Sequence, residues 1–525
     1  MSGTASVVGV PLGDQRPTHA LPLWLRPSAL ASFVLVLTVL RLLTAANADL
    51  VNDEAYYRLW GLYPALGYFD HPPMIAWWIW LGQLIAGDTA LGLRIVGVLS
   101  LTLATPFLWR TAYLLFDARV AGLSVLFVHA TFLIGTGVVI MTPDTPAVFF
   151  WGMTMWALAE LHASGRANWW LAVGLFAGLG IVSKYSGLFI GAGIVLWLLM
   201  PANRHWFGRW QLWAGGLLAL AIFAPVVHWN AVHEWPSFYK QFGRSVQANW
   251  TGRYVPEFIA AFAGLLNPLI GIAHLGGLWI LLPRTFRGDA KAGLVVMTSL
   301  PFVIYLFIHA MHSLVEGNWP APLFMAHCMS AAVFIAAMNN RFWDRFAIAA
   351  IALGVGLGLL VQMHAVSPFT GALGRQDPTH QMRGWGDVRQ ALLDITGRED
   401  AAYILTTNFQ LNGQLAFALR DELLVTEHAE RIRYVMMPEP PLDLFERPGL
   451  YVAEGYRDCA VWLLPYFETV ELIEKVSREI DGTQLDILHV HRLTGPKQVP
   501  LAPIDPLQWQ EPKEYDDEDG ACPPI

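Results

Sequence analysis

The sequence predicts a polytopic α-helical membrane protein that carries a small α/β domain towards its C-terminal end. Three observations support this. Hydrophobic residues make up 55% of the 525 residues and charged residues only 14%, against about 25% charged in a soluble globular chain. Apolar runs recur from about residue 28 to about residue 364, many of them near the roughly 20 residues that a helix needs to cross a bilayer. Beyond about residue 375 the composition turns mixed and polar, with short alternating patterns that read as strands. The 23 Trp agree with a membrane setting, because Trp collects at both interfaces. A net charge of -8 offers no cationic surface for a phosphate backbone, so no nucleic-acid partner is expected. The cysteines, Cys328, Cys459 and Cys522, form neither a metal pattern nor a disulfide framework.

The elements follow in order. Residues 1–27 read as a loose cytoplasmic arm. The first apolar run lacks a small-residue cleavage site and reads as a signal anchor. About eleven spans are expected, near 28–48, 91–115, 120–140, 144–162, 168–183, 186–200, 211–230, 258–282, 292–310, 319–338 and 346–364. The fifth and sixth are short and nearly continuous. The stretch 74–86 is apolar but short, and reads as a helix lying at the interface or re-entering. With the N-terminus placed in the cytoplasm, every inner loop carries basic residues: Arg119; Arg166; Arg204 and Arg209; Arg284, Arg287 and Lys291; Arg341 and Arg345. That asymmetry sets the orientation, and an odd number of spans then exports everything after about Ser367.

The expected organisation is a transmembrane catalytic domain over 28–366, with its first outer loop at 49–90, then an extracytoplasmic α/β domain over 367–497. In the latter "AAYILTTN" reads as a strand and "FQLNGQLAFALRDE" as a helix, while "GLYVAEG", "FETVELIEKVSREI" and "QLDILHVHRL" read as further short strands. The acidic tail 498–525 is expected to be disordered. The whole is an integral, multi-pass protein of the cytoplasmic (inner) membrane.

In this topology Asp53, Glu54, Asp70, His71, Asp144, Lys184, Glu234 and Glu316 come from different loops yet share one outer layer. Charges at that depth are costly unless paired or used. Singly, each has a bland reading. Asp53, Glu54, Asp70 and Asp144 suit helix starts, and Lys184 suits a snorkelling helix end. Arg41, inside the first span, suits either snorkelling or a headgroup contact. Helix caps belong on both faces of a membrane, however, and these acids gather on one.

An Asp-Glu pair just after the first span, an aromatic-rich juxtamembrane helix and then "YFDHPPM" resemble the GT-C glycosyltransferases. More narrowly they resemble the superfamily of protein O-mannosyltransferases and lipid A aminoarabinose transferases. "MTPDTP", "SKYSG", "EGNWPAP" and "RGWGDV" resemble its bacterial, family-39-like branch, over about 50 to 370 and more weakly beyond. The resemblance implies the GT-C fold and an inverting transfer of a sugar from a polyprenyl-phosphate carrier at the outer face. The acceptor is a lipid, glycan or protein, beside membrane lipids. It also implies Asp53 as general base with Glu54 in support, and the Asp70–His71 segment and Lys184 near the lipid phosphate. Asp144 becomes a second acid facing the same cavity. Where aminoarabinose enzymes carry an Arg after the acid pair, this chain has Tyr56 and Tyr57, with Arg58 as the nearest cation. Where they carry a Lys before the paired prolines it has His71, as in the O-mannosyltransferases; yet the exported domain does not read as their β-trefoil.

The chemistry wants such residues. Breaking a sugar–phosphate bond builds negative charge on the lipid phosphate, which cations aimed at it stabilise; Lys184, Arg58, His71, Arg244 and Arg253 are candidates. An acceptor hydroxyl needs a carboxylate to take its proton. Adjacent acids on a helix cannot both face one site, so Asp53 is the expected base and Glu54 its orienter or cap. No metal triad is evident, and a divalent cation held by Asp53 and Asp144 stays open as the one cofactor reading. The loop 231–257 is expected to close over the donor or to meet an anionic acceptor. The alternatives are a transporter or flippase of a lipid-linked glycan, a non-catalytic scaffold, and an enzyme using an oligosaccharide diphosphate.

Overall fold

The first apolar run forms α1 (Pro27–Asn47), after which the chain makes two juxtamembrane helices, α2 (Asn52–Leu62) and α3 (Met74–Ala86), before it re-enters the bundle. Asp53 and Glu54 lie in the first turn of α2, where the unpaired N–H groups favour acids. The expected short helix over 74–86 is α3. The structure is a computed structural model that describes residues 21–243 and 250–505. Most of the expected arm, Arg244 and the end of the acidic tail lie outside the described residues.

The bundle continues with α4 (Ala90–Leu115), α5 (Ala118–His129), α6 (Asp144–Ser164), α7 (Trp169–Ser183), α8 (Leu188–Leu199) and α9 (Trp210–Val232). It is completed by α10 (Pro236–Gly243), α11 (Val255–Leu266), α12 (Pro268–Phe286), α13 (Ala290–Ala310), α14 (Phe324–Met338) and α15 (Arg341–Val366). Among the described residues, seven helices are long and apolar enough to cross a membrane, or eight if one bent pair counts as a span. The other expected spans fall on helices that are shorter, less apolar or broken. The stretch 120–140 is not one rod: α5 ends at His129 and the turns that follow, to Val139, are bent from it by 63°. The stretch 258–282 is two helices, divided at Asn267, whose φ is 79°. Pro268 brings no N–H to continue the ladder, and the Asn267 amide instead donates to the carbonyls of Ala130 and Ala350 at 3.2 and 2.8 Å.

Small residues let the helices meet backbone to backbone, which favours packing where lipid gives no hydrophobic drive. A Cβ on Gly174 of α7 would lie 2.0 Å from the Gly215 carbonyl oxygen of α9. Arg41 is buried rather than snorkelling, with its guanidinium 2.9 Å from His129 Nδ1.

The C-terminal domain comprises α16 (Trp385–Glu399), β1 (Tyr403–Thr406), α17 (Phe409–Ala418), β2 (Leu424–Glu427), β3 (Gly449–Glu454), β4 (Phe467–Ile480) and β5 (Thr483–Pro496). The sheet runs β2-β1-β3-β5-β4, with β1 parallel to both its neighbours and β5 antiparallel to both of its own. β4 and β5, expected as short strands, have 14 residues each. They close on Asp481 and Gly482, both with positive φ, the pairing that a tight hairpin demands. Cys459 is disulfide-bonded, against the expectation of no disulfide. Residues Ile404, Leu450, Val452 and Val490 share one face with the core of α16 and α17. Tyr403, Leu405, Tyr451 and Leu493 share the other. α17 seats on α2 so closely that a Cβ on Gly413 would lie 2.6 Å from the Tyr56 nitrogen.

Gly174→Leu is expected to lower the thermal midpoint of the purified protein, corresponding to about 1–3 kcal/mol of overpacking. Gly191→Leu, where an added Cβ meets nothing within 4 Å, should leave it unchanged in the same melting experiment.

Candidate active site

The first turn of α2 places two neighbouring carboxylates in opposite settings. Glu54 is fully buried. Its Oε1 accepts from Arg94 Nε and from the Met141 N–H, both at 2.8 Å, and its Oε2 accepts from an Arg94 terminal nitrogen at 2.6 Å and the Val51 N–H at 3.2 Å. Expected beside Asp53 in the catalytic pair, it does not line the cavity that Asp53 lines.

Asp53 points the other way. It lines a cavity of about 260 Å³ together with Asp144 and Asn318, above apolar walls that include Leu101, Ile134, Val138, Val148, Phe149 and Met325. Its one hydrogen-bond partner among the described residues is the Gln410 amide of α17, at 3.4 Å, and no ion pair involves it there. Burial pushes its carboxyl above the usual carboxylate range, with the nearby Asp70 charge adding to the effect and Gln410 opposing it.

Two ion-paired acids flank Asp53. Asp144, at the head of α6, accepts from Lys184 Nζ at 2.7 Å and from the Asn318 amide. Lys184 sits at the break between α7 and α8, where the backbone turns extended. Asp70 is buried and paired with Lys240 of α10 and with Arg433 of the C-terminal domain; the Tyr56 hydroxyl donates to it at 2.8 Å. Burial alone would raise the Asp70 carboxyl, but Arg433 and Lys240 outweigh it and hold the group well below the usual range. Tyr57 is buried, and burial, then Asp53 and Asp70, keep its phenol protonated. His71 lies edge-on to Tyr57, ring centroids 6.2 Å apart.

Two expected phosphate-facing cations are elsewhere. Arg58 is buried against the C-terminal domain, paired with Asp88 and donating to the Ala416 carbonyl at 3.2 Å. It lies on the face of α2 that α17 covers. Arg253 is exposed beside the Tyr254 ring. Glu234 and Glu316 are exposed as well. The site residues that the sequence did not single out are Arg94, Asn318, Gln410 and Arg433, along with Lys240 as the partner of Asp70. Arg94 had a readable signal, a charge inside an apolar span; Arg433 had none. Each Asp144 oxygen accepts one hydrogen bond, Oδ1 from Lys184 and Oδ2 from Asn318.

Residues 70–229 match the family model described as dolichyl-phosphate-mannose-protein mannosyltransferase. The chain is 25% identical over 389 residues to the lipid A galacturonosyltransferase RgtD of Rhizobium johnstonii, covering 71% of this chain and 78% of that one. It is 26% identical over 293 residues to an undecaprenyl phosphate-alpha-4-amino-4-deoxy-L-arabinose arabinosyl transferase of Pseudomonas aeruginosa, covering 48% of this chain and 51% of the relative. The crystal structure of ArnT from Cupriavidus metallidurans superposes with a TM-score of 0.62 at 17% identity, over 90% of this chain and 99% of that one. The resemblance to GT-C transferases therefore holds, and the fold is shared.

Arg94→Ala leaves the Glu54 carboxylate buried without its counter-ion. Unfolding is expected to become easier by about 3–5 kcal/mol, read as a loss of folded protein on size exclusion or a depressed midpoint. A midpoint within the error of the parent would contradict the geometry.

Proposed function

We propose that this chain is an inverting glycosyltransferase that moves a sugar from a polyprenyl-phosphate donor to a glycolipid acceptor of the lipid A type, at the outer face of the cytoplasmic membrane. The observation that carries the reading is Asp53: a carboxylate without an ion pair among the described residues, at the polar end of an apolar cavity, between two carboxylate–cation assemblies. The relatives support the donor and acceptor classes, being named for undecaprenyl-phosphate aminoarabinose transfer and for lipid A galacturonosyl transfer. ArnT of the same fold has been crystallised bound to undecaprenyl phosphate.

In this reading Asp53 takes the proton of the acceptor hydroxyl as it attacks the anomeric carbon. Burial makes it a stronger base than an exposed Asp. The leaving lipid phosphate gains charge as the sugar departs, and Lys184, Lys240 and Arg433, already oriented by Asp144 and Asp70, stabilise that charge without reorganising. Tyr57 and His71 stand beside that assembly. Glu54 and Arg94 act through Asp53, by fixing the turn on which it sits. The C-terminal domain lies outside the membrane with the site, because Arg433 and Gln410 reach into it. A flippase of lipid-linked glycans is the rival reading; a single polar layer at one end of the cavity favours transfer at one face.

Asp53→Asn is expected to give a folded protein whose transfer of labelled sugar from an undecaprenyl-phosphate donor to lipid A, in detergent, falls by about 10²–10⁴-fold. Detergent abolishes vectorial transport, so turnover there also excludes a pure flippase. Parent-like activity in this variant would remove Asp53 as base.

The pH profile supplies a second check. A base works deprotonated, so activity falls as pH drops through its folded pKa, which burial places above the ordinary Asp value. The acid limb of kcat/KM should therefore lie above about pH 3.9, and Gln410→Ala, which removes a hydrogen bond that favours the carboxylate, should move it higher still.

A further inference from the structure

We propose that Asp458, His489 and His491 form a binding site for a zinc-class divalent cation, on the face of the C-terminal sheet turned away from α16 and α17. The sequence stretch "HVH" in β5 gives the first half of the site. Residues two apart on a strand face the same way, and the neighbours His489 and His491 follow Leu488 and Val490, which point into the helix-covered core. The second half comes from the turn after β3. There Asp458 Oδ1 accepts from the Ala460 N–H at 3.1 Å, which aims Oδ2 back at the strand. Oδ2 lies 2.8 Å from His489 Nδ1 and 2.7 Å from His491 Nε2. The three ligand atoms all fall within 4.8 Å of one another.

Two imidazole nitrogens and one carboxylate oxygen are the donors that borderline ions such as Zn²⁺ take, whereas Mg²⁺ and Ca²⁺ prefer oxygen. An ion at bonds of about 2.0–2.1 Å would sit between Oδ2 and the two nitrogens, with Oδ2 further from each than the 2.8 and 2.7 Å at which it stands here. Three protein ligands leave a fourth position for water, and the residues are partly shielded yet reachable, at 17%, 18% and 9% side-chain exposure for Asp458, His489 and His491. The strand under both histidines is held on both edges by β3 and β4, so the frame is rigid. The Tyr451 ring packs 5.5 Å from His491, and its hydroxyl accepts the Cys459 N–H at 3.0 Å, which fixes the turn that carries Asp458. The ion would pin that turn to β5. It lies across the sheet from α17 and Asp53, so the proposal stands apart from the transfer chemistry.

The test uses the full chain, purified without a histidine tag in detergent, stripped with chelator and dialysed against Zn²⁺ alone. Elemental analysis is expected to find one equivalent retained per chain, and Co²⁺ in its place should show tetrahedral d–d absorption. Loss of an outer-shell partner alone weakens zinc sites by about 10–100-fold, so His489→Ala and His491→Ala should each weaken binding by at least about 100-fold. Asp458→Asn, which keeps the hydrogen bonds to the turn, serves where a histidine variant fails to elute as a monodisperse species. A parent that retains no zinc, or equal zinc in parent and variants, would mean that the three side chains are only a hydrogen-bonded cluster and would overturn the assignment.

Discussion

The polar end of this bundle depends on one buried ion pair. Arg94 and Glu54 are 1% and 0% exposed, and an ion pair so deep is favourable only if every remaining polar atom is satisfied. Here each is. The five N–H groups of the guanidinium meet five acceptors: Glu54 twice, and the carbonyls of Ala45, Ala48 and Asp49. Glu54 in turn accepts four hydrogen bonds, two from Arg94 and one each from Val51 and Met141. The carbonyls belong to the last turn of α1 and the two residues after it, Val51 caps the start of α2, Met141 lies on the approach to α6, and Arg94 is in α4. A single pair thus sets where four segments meet, and the residue it places most directly is the neighbour of Glu54, Asp53.

That placement explains how adjacent acids come to differ in chemistry. Glu54 is paired with Arg94, its hydrogen bonds are saturated, and it does not line the cavity. Asp53 is held one helical position away, about 100° around the axis, with no counter-ion among the described residues. The neighbouring acids are paired as Glu54 is. Asp144 and Asp70 are matched to cations, so that neither the acids nor their partners are buried unpaired. Asp70 is the more consequential of the two, because its partners Lys240 and Arg433 come from α10 and from the C-terminal domain. The sheet domain is therefore part of the site, and its docking through Gly413 and α17 is a condition for the Asp53 environment rather than an appendage to it.

The sequence revealed the fold class through periodicity and length, and it revealed the clustering of acids through loop alternation alone. It placed Asp53, Asp144, Lys184 and Tyr57 in one region, and the structure brings them together. It misplaced Arg58 because loop proximity does not say which face of α2 a side chain occupies, and that face is decided by α17, more than 350 positions along the chain. Arg433 was illegible for the same reason: its partner Asp70 is 363 residues away. The span over 258–282 failed at a single residue, Asn267, whose side-chain amide is held by the carbonyls of Ala130, just past α5, and of Ala350 in α15, which no local pattern encodes.

The cavity below the polar layer completes the physical argument. Its walls are mostly aliphatic and aromatic, with the ionisable groups gathered at one end. Such a space suits a molecule that is itself divided, with a hydrocarbon part in contact with Leu101, Val138 and Met325 and a charged head beside Asp53. Lipid is as apolar as these walls, so an isoprenoid moves between bilayer and cavity at little cost or gain in free energy. The walls admit the tail, and the polar groups decide how the head is bound and oriented. A site for a wholly soluble sugar nucleotide would need the reverse arrangement, with affinity drawn from polar contacts over its whole surface. The division between greasy walls and one charged layer is what ties this chain to amphiphilic substrates held in a membrane.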